Sequence, residues 1–223
     1  MLTRTKGTLR RSVAPVARAL AAAGVSPDLL TVSGLLLAIL AAAAIASGRN
    51  LLGLALLLSS ALCDILDGDV ARATPGRSMR FGAFLDSTFD RIADALLLGG
   101  ILIGKLEHGG GLEWPWAAAW ILALTGGFLV SYARARAEGL GLPCAVGLAD
   151  RTLRVVLIAV MLLLGHRSTG WLLALIALLA WITVVQRIAH VRRLALSSGG
   201  GGRCPEPGAP TPAPPAGGAG AAG

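Results

Sequence analysis

Three stretches of this chain contain no Asp, Glu, Lys or Arg: residues 29–48, 114–133 and 168–186, each 19 or 20 positions long. At a rise of about 1.5 Å per residue, each crosses a hydrocarbon core of about 30 Å as one helix. Charged residues make up 14% of the chain, against about 25% in soluble domains, so an ordinary cytosolic globule is excluded. The first run is read as a span despite its Ala44-Ile45-Ala46, because the stretch before it is too long for the n-region of a cleavable leader.

Three further segments are apolar over half their length and charged over the rest. Residues 50–63 run into Asp64, Asp67, Asp69 and Arg72; residues 95–104 follow Asp86, Asp90, Arg91 and Asp94; residues 155–165 follow Asp150, Arg151 and Arg154. The expected fold is therefore all-α and polytopic, with six transmembrane helices near 29–48, 51–73, 82–104, 114–138, 149–165 and 168–193. With six spans both termini share one side, and only Arg49, Lys105 and Arg167 fall on the other. The remaining seventeen of the 20 basic residues mark the cytoplasmic side, which is also the side of every charged half-helix. The same distribution accounts for the net charge of +8 without a nucleic-acid partner.

Residues 1–26 read as a juxtamembrane amphipathic segment, with basic residues beside Val13, Val16 and Leu20, suited to an anionic leaflet. Residues 27–195 form the membrane domain. Residues 196–223, rich in Gly, Pro and Ala, hold too few large apolar side chains to bury a core and are expected to be a disordered tail. Cys63, Cys144 and Cys204 show no C-x-x-C spacing, which argues against a disulfide framework or a zinc site.

Six of the 12 acidic residues fall between positions 64 and 94. Ionisable groups at membrane depth are costly and mark a cavity, a partner or an ion. Asp64 and Asp67 lie three apart and Asp86, Asp90 and Asp94 four apart, so each set lines one helix face. Four carboxylates aimed at one spot cannot all stay ionised without cations, and all-oxygen ligands suit Mg²⁺ or Mn²⁺. Beside arginines, such a metal pair suits a phosphate-bearing substrate at the cytoplasmic membrane surface. A set of interhelical salt bridges with Arg72, Arg77, Arg80 and Arg91 is the competing structural reading.

The run Asp64-x-x-Asp67-Gly68-x-x-Ala71-Arg72, nine residues, then Gly82-x-x-x-Asp86-x-x-x-Asp90 resembles the signature of the CDP-alcohol phosphatidyltransferase family. The resemblance implies a six-helix membrane enzyme, a homodimer, that moves a phosphatidyl group from CDP-diacylglycerol to an alcohol and releases CMP. It implies that Asp64, Asp67, Asp86 and Asp90 hold two divalent cations, with Asp90 also the general base. Gly68, Ala71, Arg72, Ser78 and Gly82, with Asp28 and Thr31 at the entry to the first helix, would contact the CDP-lipid; helix capping is the alternative for Asp28 and Thr31. Asp69 and Asp94 lie outside the signature; a structural role is the favoured reading for both, with support of the site the alternative for Asp94.

Arg134, Arg151, Arg154 and Arg187 all fall on the cytoplasmic side, where a guanidinium cluster implies an acceptor bearing its own phosphate. The stretches Ser131–Gly139 and Phe81–Thr88 resemble the branch of the family that makes phosphatidylinositol phosphate from inositol 1-phosphate. Arg134 stands where a lysine is usual there, and Asp150-Arg151-Thr152-Leu153-Arg154 where Glu-Arg-x-x-Arg is usual. Glycerol 3-phosphate is the competing acceptor. An ion-coupled transporter is the competing class, but its carboxylates belong near the bilayer midplane on broken helices.

Overall fold

The computed structural model describes residues 14–73, 79–109 and 111–198. All regular structure among them is helical: α1 over residues 14–22, α2 Pro27–Ala46, α3 Asn50–Ala73, α4 Met79–His108, α5 Trp114–Gly139, α6 Arg151–Leu164 and α7 His166–Ser198. The expected disordered tail lies outside the described residues from position 199 onward.

Local chemistry sets the boundaries. Ser26 caps α2, its side chain accepting from the Leu29 amide at 3.2 Å, with Pro27 in the first turn. Asp150 caps α6 in the same way, accepting from Leu153 N at 3.0 Å, and Gly165 ends that helix at φ 77°. Helix α4 outruns its expected 82–104 at both ends, and its last turn is closed by Lys105 Nζ donating to the Gly109 carbonyl at 2.9 Å.

Among the described residues, four segments are long and apolar enough to cross a membrane: Pro27–Ala46, Asn50–Ala73, Trp114–Gly139 and Ser168–Ser197. Helix α4 misses that criterion because Asp86, Asp90, Arg91 and Asp94 charge its first half, and α6 because its 14 residues span only about 21 Å. The molecule is thus a multi-pass, all-helical membrane protein, with Leu36, Leu40, Leu58, Trp171 and Leu178 exposed on its outer faces.

Helix α2 packs against both α3 and α4, α5 against α7, and α6 joins α3 to α7. In lipid, helices gain from close contact of small residues rather than from leaving water. On α4, a Cβ at Gly100 would stand 2.5 Å from the Ala42 carbonyl oxygen, and one at Gly104 2.8 Å from that of Ile45. Only glycine at those two positions lets α4 lie so near α2. Tryptophans join the other pairs: Trp120 Nε1 donates to Leu98 O at 2.8 Å, from α5 to α4, and Trp181 Nε1 to Leu122 O at 3.1 Å, from α7 to α5. Helix α1 rests on α3, its Ala17 buried with Leu66 and Val70. The main core, with Leu57, Ile101, Met161 and Leu173, lies in the apolar part of the bundle. The acidic stretches of α3 and α4 and the start of α6 meet at one end.

Candidate active site

The site is built where α3 leaves its apolar run. Gly34 on α2 lets α3 approach, since a Cβ there would lie 3.3 Å from Cys63 Cβ and 3.5 Å from Asp64 Oδ1. Ser60, fully inside the bundle, donates to the Gly34 carbonyl at 2.8 Å and fixes the same crossing. One helical turn further on, Thr31 Oγ1 donates to Asp67 Oδ2 at 2.7 Å, and both residues are buried. Asp86 arrives from α4. One carboxylate oxygen each from Asp64, Asp67 and Asp86 can be chosen so that all three lie within 4.8 Å of one another.

The basic partners come from α4 and α6. Arg151, the first residue of α6, bonds Asp64 and lies 2.5 Å from Asp90 Oδ1, with its Nε 4.0 Å from Asp94. Arg91 lies 3.3 Å from Asp90 Oδ2. One turn along α6, buried Arg154 meets buried Asp94 at 2.5 Å and donates to the Gly127 carbonyl at 3.4 Å. A small open cleft lies among the acidic groups, lined by Thr31, Ser60, Asp64, Asp86, Asp90 and Arg151 among others.

The charges do not balance. With all ionised, Asp64, Asp67, Asp86, Asp90 and Asp94 set five carboxylates against the three guanidinium groups of Arg91, Arg151 and Arg154, the Arg72–Asp69 pair cancelling itself, which would leave two negative charges in excess. A buried excess of one sign is unfavourable unless a counter-charge enters. The converging ligands are all carboxylate oxygens, the donor type that hard divalent cations take and zinc or copper sites do not favour.

The other residues singled out in the sequence fall around this cluster. Capping of α2 falls to Ser26, and Asp28 instead lies in the first turn facing α4, where a Cβ at Gly82 would stand 3.9 Å from Asp28 Oδ1. Gly68 sits under the Arg72 guanidinium, 3.6 Å from its would-be Cβ, and Arg72 itself bonds Asp69. Ala71 is half-buried beside them, and Ser78 lies outside the described residues. Arg134 is exposed and bonds Glu138 at 2.8 Å. Arg187 is buried, donating to Val146 O at 2.9 Å and to Val130 O, within electrostatic reach of Arg134 and Arg154.

Sequence reasoning missed Ser60, whose signal was a hydroxyl inside an uncharged run. It also left Asp94 without its partner Arg154, because sixty residues separate them in the chain.

Helices long enough to cross a bilayer several times, with a carboxylate cluster where they meet at one end, are the marks of a multi-pass membrane protein with a cation-binding type of site. Residues 24–186 match the CDP-alcohol phosphatidyltransferase family, and the chain belongs to that family; it is a membrane transferase. It is 39% identical over 195 residues to the archaetidylinositol phosphate synthase of Methanothermobacter thermautotrophicus, covering 86% of this chain and 94% of that protein. The phosphatidylinositol phosphate synthase of Streptomyces avermitilis is 36% identical over 82% of this chain and 79% of its own. Among solved structures, the phosphatidylinositol phosphate synthase of Mycobacterium tuberculosis (PgsA1) with CDP-DAG bound superposes with a TM-score of 0.72 at 30% identity, covering 81% of this chain and 94% of that one. The same enzyme has been solved in complex with manganese and citrate, again with a TM-score of 0.72 and 30% identity, over 81% of this chain and 88% of that one.

Proposed function

We propose that this chain moves a phosphatidyl group from CDP-diacylglycerol to the hydroxyl of inositol 1-phosphate, forming phosphatidylinositol phosphate and releasing CMP. The observation that carries the reading is the convergence of Asp64, Asp67 and Asp86 within 4.8 Å, with Asp90 tied in through Arg151. The neighbour from Mycobacterium tuberculosis was solved with CDP-DAG bound, which supports that donor, and the relatives' names, phosphatidylinositol and archaetidylinositol phosphate synthase, support an inositol phosphate product.

Asp64, Asp67, Asp86 and Asp90 would hold two divalent cations, Mg²⁺ or Mn²⁺. The excess of two negative charges, with about two more from the donor's diphosphate, matches two such ions. Bound there, the ions supply Lewis-acid stabilisation of charge on the attacking and leaving oxygens. Thr31 holds Asp67 in its rotamer. Asp28, Thr31, Gly68, Ala71, Arg72, Ser78 and Gly82 border the CDP moiety, glycine leaving room and Arg72 exchanging Asp69 for a phosphate. Arg134, Arg151, Arg154 and Arg187 serve the acceptor's phosphate. The acceptor oxygen forms a bond to the β-phosphorus while the bond from that phosphorus to the bridging oxygen breaks. CMP leaves with the electron pair, and Asp90 takes the hydroxyl proton.

The same reading gives six spans, with α4 and α6 crossing as partly charged helices whose ionic ends stay beside the site. It puts the site and both termini on the cytoplasmic side, residues 1–26 on the membrane surface, residues 27–195 as the catalytic domain and residues 196–223 as a tail, and it pairs two copies as a homodimer. The basic-residue distribution supports the orientation.

The test is CMP release by the purified full chain with CDP-diacylglycerol and Mg²⁺, offering inositol 1-phosphate and glycerol 3-phosphate separately. Release with inositol 1-phosphate alone is expected. Release with glycerol 3-phosphate alone keeps the chemistry and overturns the acceptor.

A further inference from the structure

Eleven residues, 140–150, connect α5 to α6 without regular structure, and the helix they lead into carries Arg151 and Arg154. A connection of this length does not by itself fix where the next helix starts. Here it is bonded to α7 at three points. Thr183 Oγ1 accepts from the Ala149 amide at 2.9 Å while donating to Leu179 O at 2.8 Å; Arg187 Nε donates to Val146 O at 2.9 Å; His190 Nε2 lies 3.2 Å from Pro143 O. The spacing 183, 187, 190 puts the three side chains on one face of α7.

The contact is tight as well as polar. Thr183 is completely buried, Cys144 and Ala149 of the loop are each 1% exposed, and a Cβ on Gly147 would collide with the Thr183 methyl. Gly147 also sits at φ 131°, where a side chain is strained. Ala149 directly precedes Asp150, the cap of α6. The Thr183 bond therefore sets the axial position at which α6 begins. One residue of slip would move Arg151 and Arg154 by about 1.5 Å and turn them by about 100°.

We propose that Thr183, Arg187 and His190 form a latch on α7 that holds the α5–α6 loop, with Thr183 the positioning residue that sets where Arg151 and Arg154 stand for the acceptor. Thr183 touches no reacting group; it acts through the backbone of Ala149. The link to the acceptor rests on the arginine reading given above, whereas the latch itself does not.

Two readouts on the purified full chain test it. Thiol labelling of Cys144, resolved by peptide mass spectrometry, reports the loop; steady-state CMP release reports the site. Thr183→Val is expected to speed Cys144 labelling about tenfold. It is also expected to raise the KM for inositol 1-phosphate about tenfold, with the KM for CDP-diacylglycerol within about twofold. Thr183→Ser, which keeps the acceptor oxygen, is expected to restore both, and Gly147→Ala, whose methyl would press on Thr183 from the loop side, to reproduce the Val variant with no residue of α7 replaced. Unchanged Cys144 labelling in Thr183→Val and Gly147→Ala overturns the latch. Faster labelling with an unchanged acceptor KM, when Arg154→Ala does raise that KM, overturns the positioning role. Faster labelling with neither variant raising the KM upholds the latch and overturns the arginine reading.

Discussion

At the scale of single residues, the site depends on side chains that neutralise or orient its carboxylates. Thr31 gives buried Asp67 a hydroxyl donor at 2.7 Å. Thr31→Val keeps the shape and removes that donor, which costs about 1–3 kcal/mol when a buried acceptor is left unsatisfied. A lower melting temperature in detergent is the expected outcome, and an unchanged one places the Asp67 carboxylate in contact with another donor. Arg151 bonds Asp64 and Asp90 together, so its guanidinium competes with any cation for those oxygens. Arg151→Gln is expected to tighten Mn²⁺ binding, measured from the free-ion EPR signal, by about threefold to tenfold while slowing acceptor-dependent CMP release. Weaker Mn²⁺ binding in that variant contradicts the competition.

At the scale of helices, close approach depends on glycine only where the neighbouring backbone is near. Gly100→Val drives a side chain into the Ala42 carbonyl and should lower the melting temperature markedly. Gly99→Ala, next along the chain and with nothing within 4 Å of its would-be Cβ, should be neutral. Equal effects would remove the α2–α4 packing from the account. The helices themselves were legible in the sequence: the expected 114–138 stands beside the observed Trp114–Gly139, and 51–73 beside Asn50–Ala73. Uncharged runs and caps are local signals, and the three-and-four spacing of the aspartates put Asp64, Asp67 and Asp86 on facing surfaces. Partners far apart in the chain were not legible. Arg154 with Asp94 and Thr183 with the Ala149 amide are settled by how α4, α6 and α7 lean together. No periodicity within one helix encodes that. Arg187 shows the same limit, because its burial against two backbone carbonyls depends on the α5–α6 loop.

At the scale of the whole molecule, the proposed orientation puts the α2–α3 turn outside and the end of α7 inside. In a cysteine-free background, Arg49→Cys should react with an impermeant thiol reagent on right-side-out vesicles, and Arg192→Cys only after permeabilisation. The reverse pattern inverts the topology. Both positions are exposed, so access depends on the bilayer alone. In the proposed function the carboxylate end of the bundle performs the transfer and Asp90 accepts the proton. The most direct measurement compares Asp90→Asn with the unaltered protein for CDP-diacylglycerol binding and CMP release in the same preparation. Binding kept and CMP release lost is the expected outcome; CMP release at the unaltered rate would show that Asp90 does not accept the proton.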